Sequence, residues 1–493
     1  MRERWFARPW PLLTFAVIAL ALVARSLSWL NPDTSALITF AEKWLDGVDP
    51  YAVFDEINPP ASILLYVPDV LVGRVFGFSP EAVLAASLLI AAPAALWLTA
   101  RILAQARVME ASQSWMLAPF ACAVFLLLPQ DVFGEREHIA VIAMLPLLAT
   151  YAARASGETI EGWAGVVAGA GAGLGVAIKP YLALALILPF LYAAWSLRTR
   201  PKERVALIFS REILVMALIV AAYAAAMIIW FRDYLALMLP VLQHVYLPVR
   251  FPWPLLIAKP MVILPVLGLA SVLFVSAPRA LKPLPLVLVL VLAAAGFWLA
   301  SLVEGKGWPY HGYPAIALTL MASIVVAIAR WPLQRAATWR VVTIALIGGL
   351  SALAAVCFRP APWYPQFVAT ITRVAPQHPR LMSICGARLE YLWPISRIVH
   401  GEAIGHGLWV NEVANALENW GEVDEKEREI VDRYARDERK SFISAMQTEH
   451  PGVLVVCNDG WEGWALARPQ FAAEMRKFHK VAQVERAEIW LSN

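Results

Sequence analysis

Charge and cysteine are both scarce in this 493-residue chain. Only 16% of the residues are charged, whereas an ordinary soluble domain carries about 25%. The four cysteines (Cys122, Cys357, Cys385 and Cys457) are too few and too scattered for a disulfide framework or a zinc site. Cys385 and Cys457 could pair in an oxidising compartment, but the sequence favours two buried thiols. There is no long basic block either, so nothing points to nucleic acid as a partner.

Long apolar runs take the place of the missing charge. Hydrophobic residues make up 60% of the chain, and a membrane helix needs about 20 of them in a row to cross about 30 Å of hydrocarbon. The runs predict about eleven transmembrane helices, at roughly 10–30, 82–103, 115–133, 138–153, 162–178, 181–197, 213–231, 254–275, 281–302, 313–330 and 340–358. The first run leads into Asn31-Pro32-Asp33 instead of a small-residue cleavage site, so we expect an uncleaved membrane helix.

Lysine and arginine are distributed unevenly between the loops. If the N-terminus lies inside, the inner loops carry roughly twice as many basic residues as the outer ones, as the positive-inside rule requires. An odd number of spans then places the C-terminus outside. We therefore expect a multi-pass protein of the bacterial inner (plasma) membrane, with a cytoplasmic N-terminus and a periplasmic C-terminal domain.

The composition changes after Phe358. Residues 1–358 are predicted to form the transmembrane domain, and the charge-rich residues 359–493 a small soluble α/β domain. The latter has candidate strands at 381–385, 453–456 and 487–491 and a candidate helix at 411–446. In the first loop, segment 61–77 is predicted to lie in the interface, because Asp69 and Arg74 would each cost about 2.5–3.5 kcal/mol at the bilayer centre. Segment 36–46 is predicted to be a second amphipathic segment at the interface, where substrates on long lipids must be met.

The remaining polar clusters all fall in predicted outer loops. They are Asp33, the run Glu135-Arg136-Glu137-His138, Lys179 before Pro180, Gln243 with His244 and Tyr246, and Lys306 with Tyr310 and His311. A protein with a purely structural role has no reason to sort its polar residues onto one side of the membrane. One site on the outer face is the simplest explanation.

Sugar transfer from a lipid phosphate fits this set of residues. A carboxylate can accept the proton of an attacking hydroxyl, which makes Asp33, Glu135 and Glu137 the catalytic candidates. A leaving phosphate needs cations and other donors around it. The candidates for this role are Arg136, His138, Lys179, Lys306, Tyr310 and His311. His244 and Tyr246 are candidate acceptor or loop contacts.

Simpler explanations stay open for the same residues. Asp33 could cap the following helix, and 135–138 could be a solvated turn. Lys179 could extend its ammonium to the interface, with Pro180 starting a helix. Lys306, Tyr310 and His311 could be interfacial anchors, and 243–246 could be loop packing.

The first loop carries the most specific pattern. Asn31-Pro32-Asp33, the stretch 41–51 (AEKWLDGVDPY) and Asn58-Pro59-Pro60 resemble the first extracytoplasmic loop of GT-C membrane glycosyltransferases. The resemblance implies a bundle of many transmembrane helices with interfacial helices in that loop, a polyprenyl-phosphate sugar donor and an inverting displacement. It implies that Asp33 is the general base, that Glu135 or Glu137 is a second acidic residue, and that Lys179 approaches the donor phosphate.

The resemblance has one departure and leaves several alternatives. Many GT-C relatives have Asp-Glu where this chain has Asp33-Thr34, so a divalent metal is possible but not supported, and no other cofactor is required. The expected partners are the lipid-linked sugar, the bilayer and a glycan, lipid or protein acceptor. The alternatives are a transporter or flippase of lipid-linked or small substrates, or an enzyme like an O-antigen ligase that uses a lipid-diphosphate donor.

Overall fold

The computed structural model describes residues 9–28, 30–53, 56–276, 284–330, 337–359, 364–386, 388–405, 407–419, 425–484 and 486–493. The predicted span 281–302 thus begins outside the described residues, which resume at 284. The chain forms two compact units that are discontinuous in sequence. Unit 1 comprises 1–29, 71–227 and 251–359, and unit 2 comprises 30–70, 228–250 and 360–493.

The described part of the chain up to residue 359 is almost entirely helical. Its α-helices are Pro9–Ser26, Pro32–Leu45, Pro50–Val53, Pro60–Leu64, Val67–Phe76, Pro80–Gln105, Ala111–Cys122, Arg136–Ala155, Gly162–Ile178, Leu184–Ser196, Pro201–Ile208, Arg211–Trp230, Leu239–Val241, Trp253–Ile257, Pro260–Ser276, Leu284–Glu304, Pro309–Arg330 and Ala337–Cys357. Short π-helical segments (Ala123–Leu127, Tyr234–Met238, Leu242–Tyr246) and 3₁₀ turns (Gln130–Val132, Pro180–Ala183) interrupt them.

Within the described residues, seven helices are long and apolar enough to cross a membrane. They are Pro9–Ser26, Pro80–Gln105, Arg136–Ala155, Pro201–Trp230 (Pro201–Ile208 and Arg211–Trp230 counted as one span), Leu284–Glu304, Pro309–Arg330 and Thr338–Cys357. The other predicted spans coincide with shorter apolar helices, such as Gly162–Ile178 and Pro260–Val275. The prediction of a helical multi-pass protein is therefore confirmed, whereas the count of eleven is not.

Helices Arg136–Ala155 and Pro309–Arg330 are the most buried of these seven, and they form the core of unit 1. Helix Arg211–Trp230 has the opposite character, because Glu212 is its one buried residue. The Glu212 carboxylate accepts a hydrogen bond from Arg154 Nε at 3.0 Å. Its backbone packs so closely on Gly169 that a Cβ there would lie 2.3 Å from the Glu212 carbonyl oxygen. Small residues allow helix backbones to approach closely in this way.

The C-terminal residues form a five-stranded sheet with helices. The strands are β1 (Arg380–Ile384), β2 (Glu402–Ala403), β3 (Val453–Cys457), β4 (Phe478–Val484) and β5 (Ala487–Ser492), in the order β2-β1-β3-β5-β4. β2, β1 and β3 are parallel, and β5 pairs antiparallel with β3 and β4. The helices are Tyr364–Val374, Trp393–Ile398, Trp409–Asn419, Glu425–Glu449, Trp461–Leu466 and Pro469–Met475, with a 3₁₀ turn at Leu389–Tyr391.

Three sequence expectations change in this region. The three predicted strands are present as β1, β3 and β5, but β2 and β4 were not foreseen. The single helix predicted at 411–446 is two helices, Trp409–Asn419 and Glu425–Glu449, with 420–424 outside the described residues. Cys385 and Cys457 are joined in a disulfide, so the expectation of two buried thiols was wrong.

The first loop is part of the same unit as this sheet. Arg397 holds Glu42 through two hydrogen bonds, from Nη1 at 2.7 Å and from Nη2 at 3.1 Å. Lys43 forms an ion pair with Glu402, and the Phe40 ring packs edge-on against Trp393 with centroids 4.9 Å apart. The C-terminal half of helix Pro32–Leu45 is thus fixed to the C-terminal residues of the chain.

Candidate functional site

The run Glu135-Arg136-Glu137-His138 lies at the start of a helix and is fully enclosed. Glu135 occupies the N-cap position of helix Arg136–Ala155, and the other three form its first turn. None of the four is more than 2% exposed. Charged groups are rarely so buried unless they are paired or functional. The interpretation of this run as a solvated turn is therefore wrong.

His138 is held by backbone groups on both sides of its ring. The Gly134 N–H donates to Nδ1 at 3.1 Å, and Nε2 lies 2.8 Å from the Phe125 carbonyl oxygen. Phe125 belongs to the π-helical segment Ala123–Leu127, where the normal helical bonding is interrupted. Both ring nitrogens are thus occupied, which gives His138 a packing role in place of the predicted contact with phosphate.

Lys179 and Glu137 form a buried ion pair. Lys179 lies in an extended conformation between helix Gly162–Ile178 and the 3₁₀ turn that starts at Pro180. Its Nζ donates to Glu137 Oε1 at 2.6 Å, and the Tyr181 hydroxyl lies 3.5 Å from the same oxygen. Since the Lys179 side chain is only 7% exposed, it does not extend to solvent as an interfacial lysine would.

His311 joins a second carboxylate to this pair. Its Nε2 lies 2.6 Å from Glu304 Oε2 and 3.7 Å from Glu137 Oε1. All three side chains are buried. We refer to Glu137, Lys179, Glu304 and His311 as the buried ionic cluster. It brings together residues from three separate parts of the sequence.

Glu304 and Tyr181 were missed in the sequence. Glu304 is the last residue of helix Leu284–Glu304, and it is the one acidic residue in the stretch 284–330. A lone carboxyl group at the end of an apolar run, directly before Gly305-Lys306, was a usable signal. Tyr181 follows the Lys179-Pro180 step, but an interfacial tyrosine is too common to stand out.

Three further polar residues accompany the buried ionic cluster. Arg136 and Tyr310 lie beside it, and Lys306 follows Glu304 closely in sequence. The Tyr310 ring has Lys179 Nζ at 5.6 Å and Arg136 Cζ at 5.9 Å from its centroid. Arg136 also lies 3.7 Å from the Glu135 carboxylate. Lys306 is buried in the turn before Tyr310, between Gly305 and Gly307, whose φ angles of +68° and +61° favour glycine. Burial of these residues contradicts the interpretation of this loop as an exposed anchor belt.

Asp33 belongs to unit 2 and sits in the first turn of helix Pro32–Leu45. It does not cap the helix, because the side chain of Asn31 accepts the Asp33 N–H at 2.8 Å and fills that role. An acidic residue here is favourable for the helix dipole. Glu390 lies nearby: burial raises its pKa, and the charges of Glu412 and Asp33 raise it further against the opposing effect of Arg388.

His244 and Tyr246 lie in the π-helical segment Leu242–Tyr246 of unit 2. His244 is exposed. Tyr246 packs edge-on against Trp409 with ring centroids 6.4 Å apart. Tyr246 thus has a packing contact, and a contact of either residue with an acceptor stays a prediction.

Comparison with known proteins gives matches at the level of structure. No protein-family model matches the chain, and no curated protein sequence matches it. ArnT from Cupriavidus metallidurans bound to undecaprenyl phosphate matches over 98% of both chains with 14% identity and a TM-score of 0.57. The apo state of ArnT matches with 15% identity and a TM-score of 0.50, over 98% of this chain and 97% of ArnT.

The chain has the fold of ArnT, which is the GT-C fold. At this level of identity the likeness is one of architecture, and it extends over nearly the whole chain, sheet region included. The resemblance seen in the first loop is confirmed for the fold. In the GT-C fold of this chain, that loop carries the helices Pro32–Leu45, Pro50–Val53, Pro60–Leu64 and Val67–Phe76.

Proposed function

We propose that this protein is an inverting glycosyltransferase that moves a sugar from a polyprenyl-phosphate donor to a glycan, lipid or protein acceptor on the extracytoplasmic face of the inner membrane. The observation that carries the proposal is the buried ionic cluster. Burying ionisable residues in protein is costly, and a cluster of four that is almost closed to solvent calls for a function.

The charges in this part of unit 1 suit a phosphodiester. Glu135, Glu137 and Glu304 supply three carboxylates, and Arg136, Lys179 and Lys306 supply three cations. A sugar phosphodiester brings a single negative charge, for which the three cations and the His311 ring offer hydrogen-bond donors. Cations fixed in a dry site stabilise a departing phosphate far better than cations in water. ArnT, whose fold this chain shares, has been seen with undecaprenyl phosphate bound.

In the proposed reaction the acceptor hydroxyl attacks the anomeric carbon of the donor. The new carbon–oxygen bond forms as the bond from that carbon to the phosphate oxygen breaks, so the configuration inverts. Asp33 accepts the hydroxyl proton, and the polyprenyl phosphate leaves with the bonding electrons. Lys179 and His311 stabilise its growing charge, with Arg136, Lys306 and Tyr310 as further phosphate contacts. Glu137 is proposed to orient Lys179 rather than to act as the base.

Two features support the extracytoplasmic location. Disulfides persist in oxidising compartments such as the periplasm and are rare in the cytosol, and the C-terminal residues contain the pair Cys385–Cys457. The distribution of basic residues along the sequence favours the same orientation.

The test is donor consumption by the purified protein in nanodiscs, with radiolabelled polyprenyl-phosphate sugar and a mixture of envelope glycans as acceptors. We expect release of polyprenyl phosphate and loss of this activity in Lys179→Met. Turnover of a polyprenyl-diphosphate sugar alone would favour the ligase-like alternative. Movement of intact labelled lipid across a vesicle membrane without cleavage would favour a flippase. Either result would overturn the proposal.

A further inference from the structure

A crevice in unit 2 lies at the carboxyl ends of two neighbouring parallel strands. The strand order β2-β1-β3 means that the chain leaves β1 to one side, forms β2, and returns to form β3 on the other side of β1. In open α/β sheets, ligands bind where the strand order reverses, outside the carboxyl ends of the strands. The crevice occupies that position, since β1 runs into Gly386 and β3 into Asp459.

One wall of the crevice is helix Trp409–Asn419. Glu412, Asn415 and Ala416 share one face of this helix and line the crevice. The Glu412 carboxylate reaches the end of β1, because a Cβ built on Gly386 would lie 2.3 Å from Glu412 Oε2. This wall therefore presents a carboxylate and an amide, which both accept hydrogen bonds.

The opposite wall follows β3 and is both acidic and aromatic. It consists of Asp459, Gly460, Trp461 and Trp464. The two indole rings pack with centroids 5.0 Å apart. Asp459 is held in place by Arg388, whose Nη2 lies 2.7 Å from Asp459 Oδ2. The crevice has a volume of about 300 Å³, at the lower end of the range for small-molecule sites.

We propose that this crevice binds one or two sugar units of a saccharide that carries no acidic group. A pyranose combines hydroxyl groups with an apolar face of C–H bonds. Glu412, Asp459 and Asn415 can accept hydrogen bonds from the hydroxyls, and the indoles supply apolar contact. The Glu412 carboxylate would repel an anionic ligand such as a phosphate or a uronic acid, because Arg388 offsets only the charge of Asp459.

The place of the crevice in unit 2 suggests what the saccharide is. Asp33, the proposed general base, belongs to the same unit as the crevice. Its helix Pro32–Leu45 contacts the 3₁₀ turn Leu389–Tyr391, which directly follows Arg388, the partner of Asp459. We assign the crevice to the sugar end of the acceptor. This assignment rests on the proposed function, whereas saccharide binding itself does not.

The experiment is a ligand-observed NMR titration of the full-length protein in nanodiscs, without donor. The probes are a β-linked glucosamine disaccharide, its uncharged N-acetylated counterpart, a uronic-acid disaccharide and a lysine-containing tripeptide. We expect one or both of the first two to bind and the uronic acid not to bind. Binding of the tripeptide alone, or of none of the probes, would overturn the proposal.

Three variants test whether the saccharide binds in the crevice. Glu412→Gln removes an acceptor charge without changing the size of the side chain, and it should weaken binding about 10- to 100-fold, since hydrogen bonds to charged groups are the strong ones. Ala416→Phe fills the crevice without changing any charge and should abolish binding. Glu462→Gln is the matched control, because Glu462 is a neighbour of the aromatic wall that does not line the crevice. Equal binding by all three variants would overturn the site.

The titration and the sugar-transfer assay together separate the two proposals. If the disaccharide binds and depends on Glu412 but no polyprenyl-phosphate sugar is ever consumed, the proposed function fails while the saccharide site stands. If sugar transfer proceeds at wild-type rate and acceptor KM in Glu412→Gln and Ala416→Phe, the assignment to the acceptor fails while the proposed function stands.

Discussion

At the scale of single residues, the environment of a side chain decides which roles remain open to it. Asp33 was assigned as base from its place in a motif, with helix capping as the competing explanation. Because Asn31 caps the helix, that explanation no longer accounts for Asp33. The opposite holds for His138. It was predicted to contact the phosphate, but backbone contacts occupy both of its ring nitrogens.

Asp33→Asn should fold and insert normally but transfer sugar about 10²–10⁴-fold more slowly, since it lacks a proton acceptor. The measurement is the initial transfer rate at equal membrane abundance. Asp46→Asn, at the exposed C-terminal end of the same helix, is the control and should keep wild-type activity. A rate within a few-fold of wild type in Asp33→Asn would rule out this base and leave Glu135 or Glu137 as the candidate.

The pair Lys179–Glu137 should behave as a coupled unit. Lys179→Met leaves a buried carboxylate without its cation, and breaking a buried pair in this way costs about 3–5 kcal/mol. The double variant Lys179→Met/Glu137→Gln removes both charges and should be more stable than Lys179→Met alone. The free energies of unfolding in detergent, combined as a double-mutant cycle, measure the coupling. Additive effects would show that the two side chains do not depend on each other.

The sequence predicted most of the residue types in and around the buried ionic cluster but not their pairing. Glu135, Arg136, Glu137, Lys179 and His311 were found because charge next to an apolar run is conspicuous. That Lys179 meets Glu137, and His311 meets Glu304, depends on how helices far apart in sequence pack, and no local pattern encodes it.

At the scale of elements, glycines indicate which helices touch. Gly296 lies on helix Leu284–Glu304, where an added Cβ would lie 2.3 Å from the Leu184 carbonyl oxygen and 2.5 Å from Ala185 Cα. Gly348 lies on helix Ala337–Cys357 with nothing within 4 Å. The same substitution therefore meets backbone at one position and open space at the other.

Gly296→Ala should lower the unfolding temperature, because the neighbouring backbone must shift; overpacking costs about 1–3 kcal/mol. Gly348→Ala should be neutral or slightly stabilising, because alanine favours the helix by up to about 1 kcal/mol. Thermal unfolding of the two variants, side by side in the same detergent, provides the measurement. Equal shifts would contradict the close approach of helix Leu284–Glu304 to Leu184.

Helices and strands were predicted well where the apolar run is long and poorly where it is short. Apolar runs located the membrane helices, and buried runs located β1, β3 and β5. β2 has two residues, too few for a pattern. β4 is Phe478–Val484, whose central residues His479, Lys480 and Gln483 are polar, so it did not resemble a buried strand.

At the scale of the whole molecule, the two compact units divide the chain differently from the sequence. Composition suggested a boundary near Phe358, but helix Pro32–Leu45 is tied to the C-terminal residues through Glu42–Arg397 and Lys43–Glu402. The partners are more than 350 positions apart. Such a long-range association leaves no trace in composition or periodicity.

The C-terminal residues should be extracytoplasmic and oxidised in the cell. In a Cys122→Ala/Cys357→Ala background, denatured protein from cells quenched with acid should not react with a maleimide polymer until it is reduced. Alkaline phosphatase fused after Asn493 should be active, and a cytoplasmic reporter at the same position should not. Two free thiols together with an active cytoplasmic reporter would place this region inside and reverse the proposed orientation.

Helix Arg211–Trp230 has a consequence for how related sequences should diverge. Its residues other than Glu212 are not buried. Exchange of one apolar residue for another should therefore have little effect on this helix, and its sequence should be among the fastest to change. Glu212 is the exception, because it pairs with Arg154 and fits against Gly165 and Gly169. In descendants of this chain, these four positions should therefore change together or not at all, while the apolar positions around them vary independently.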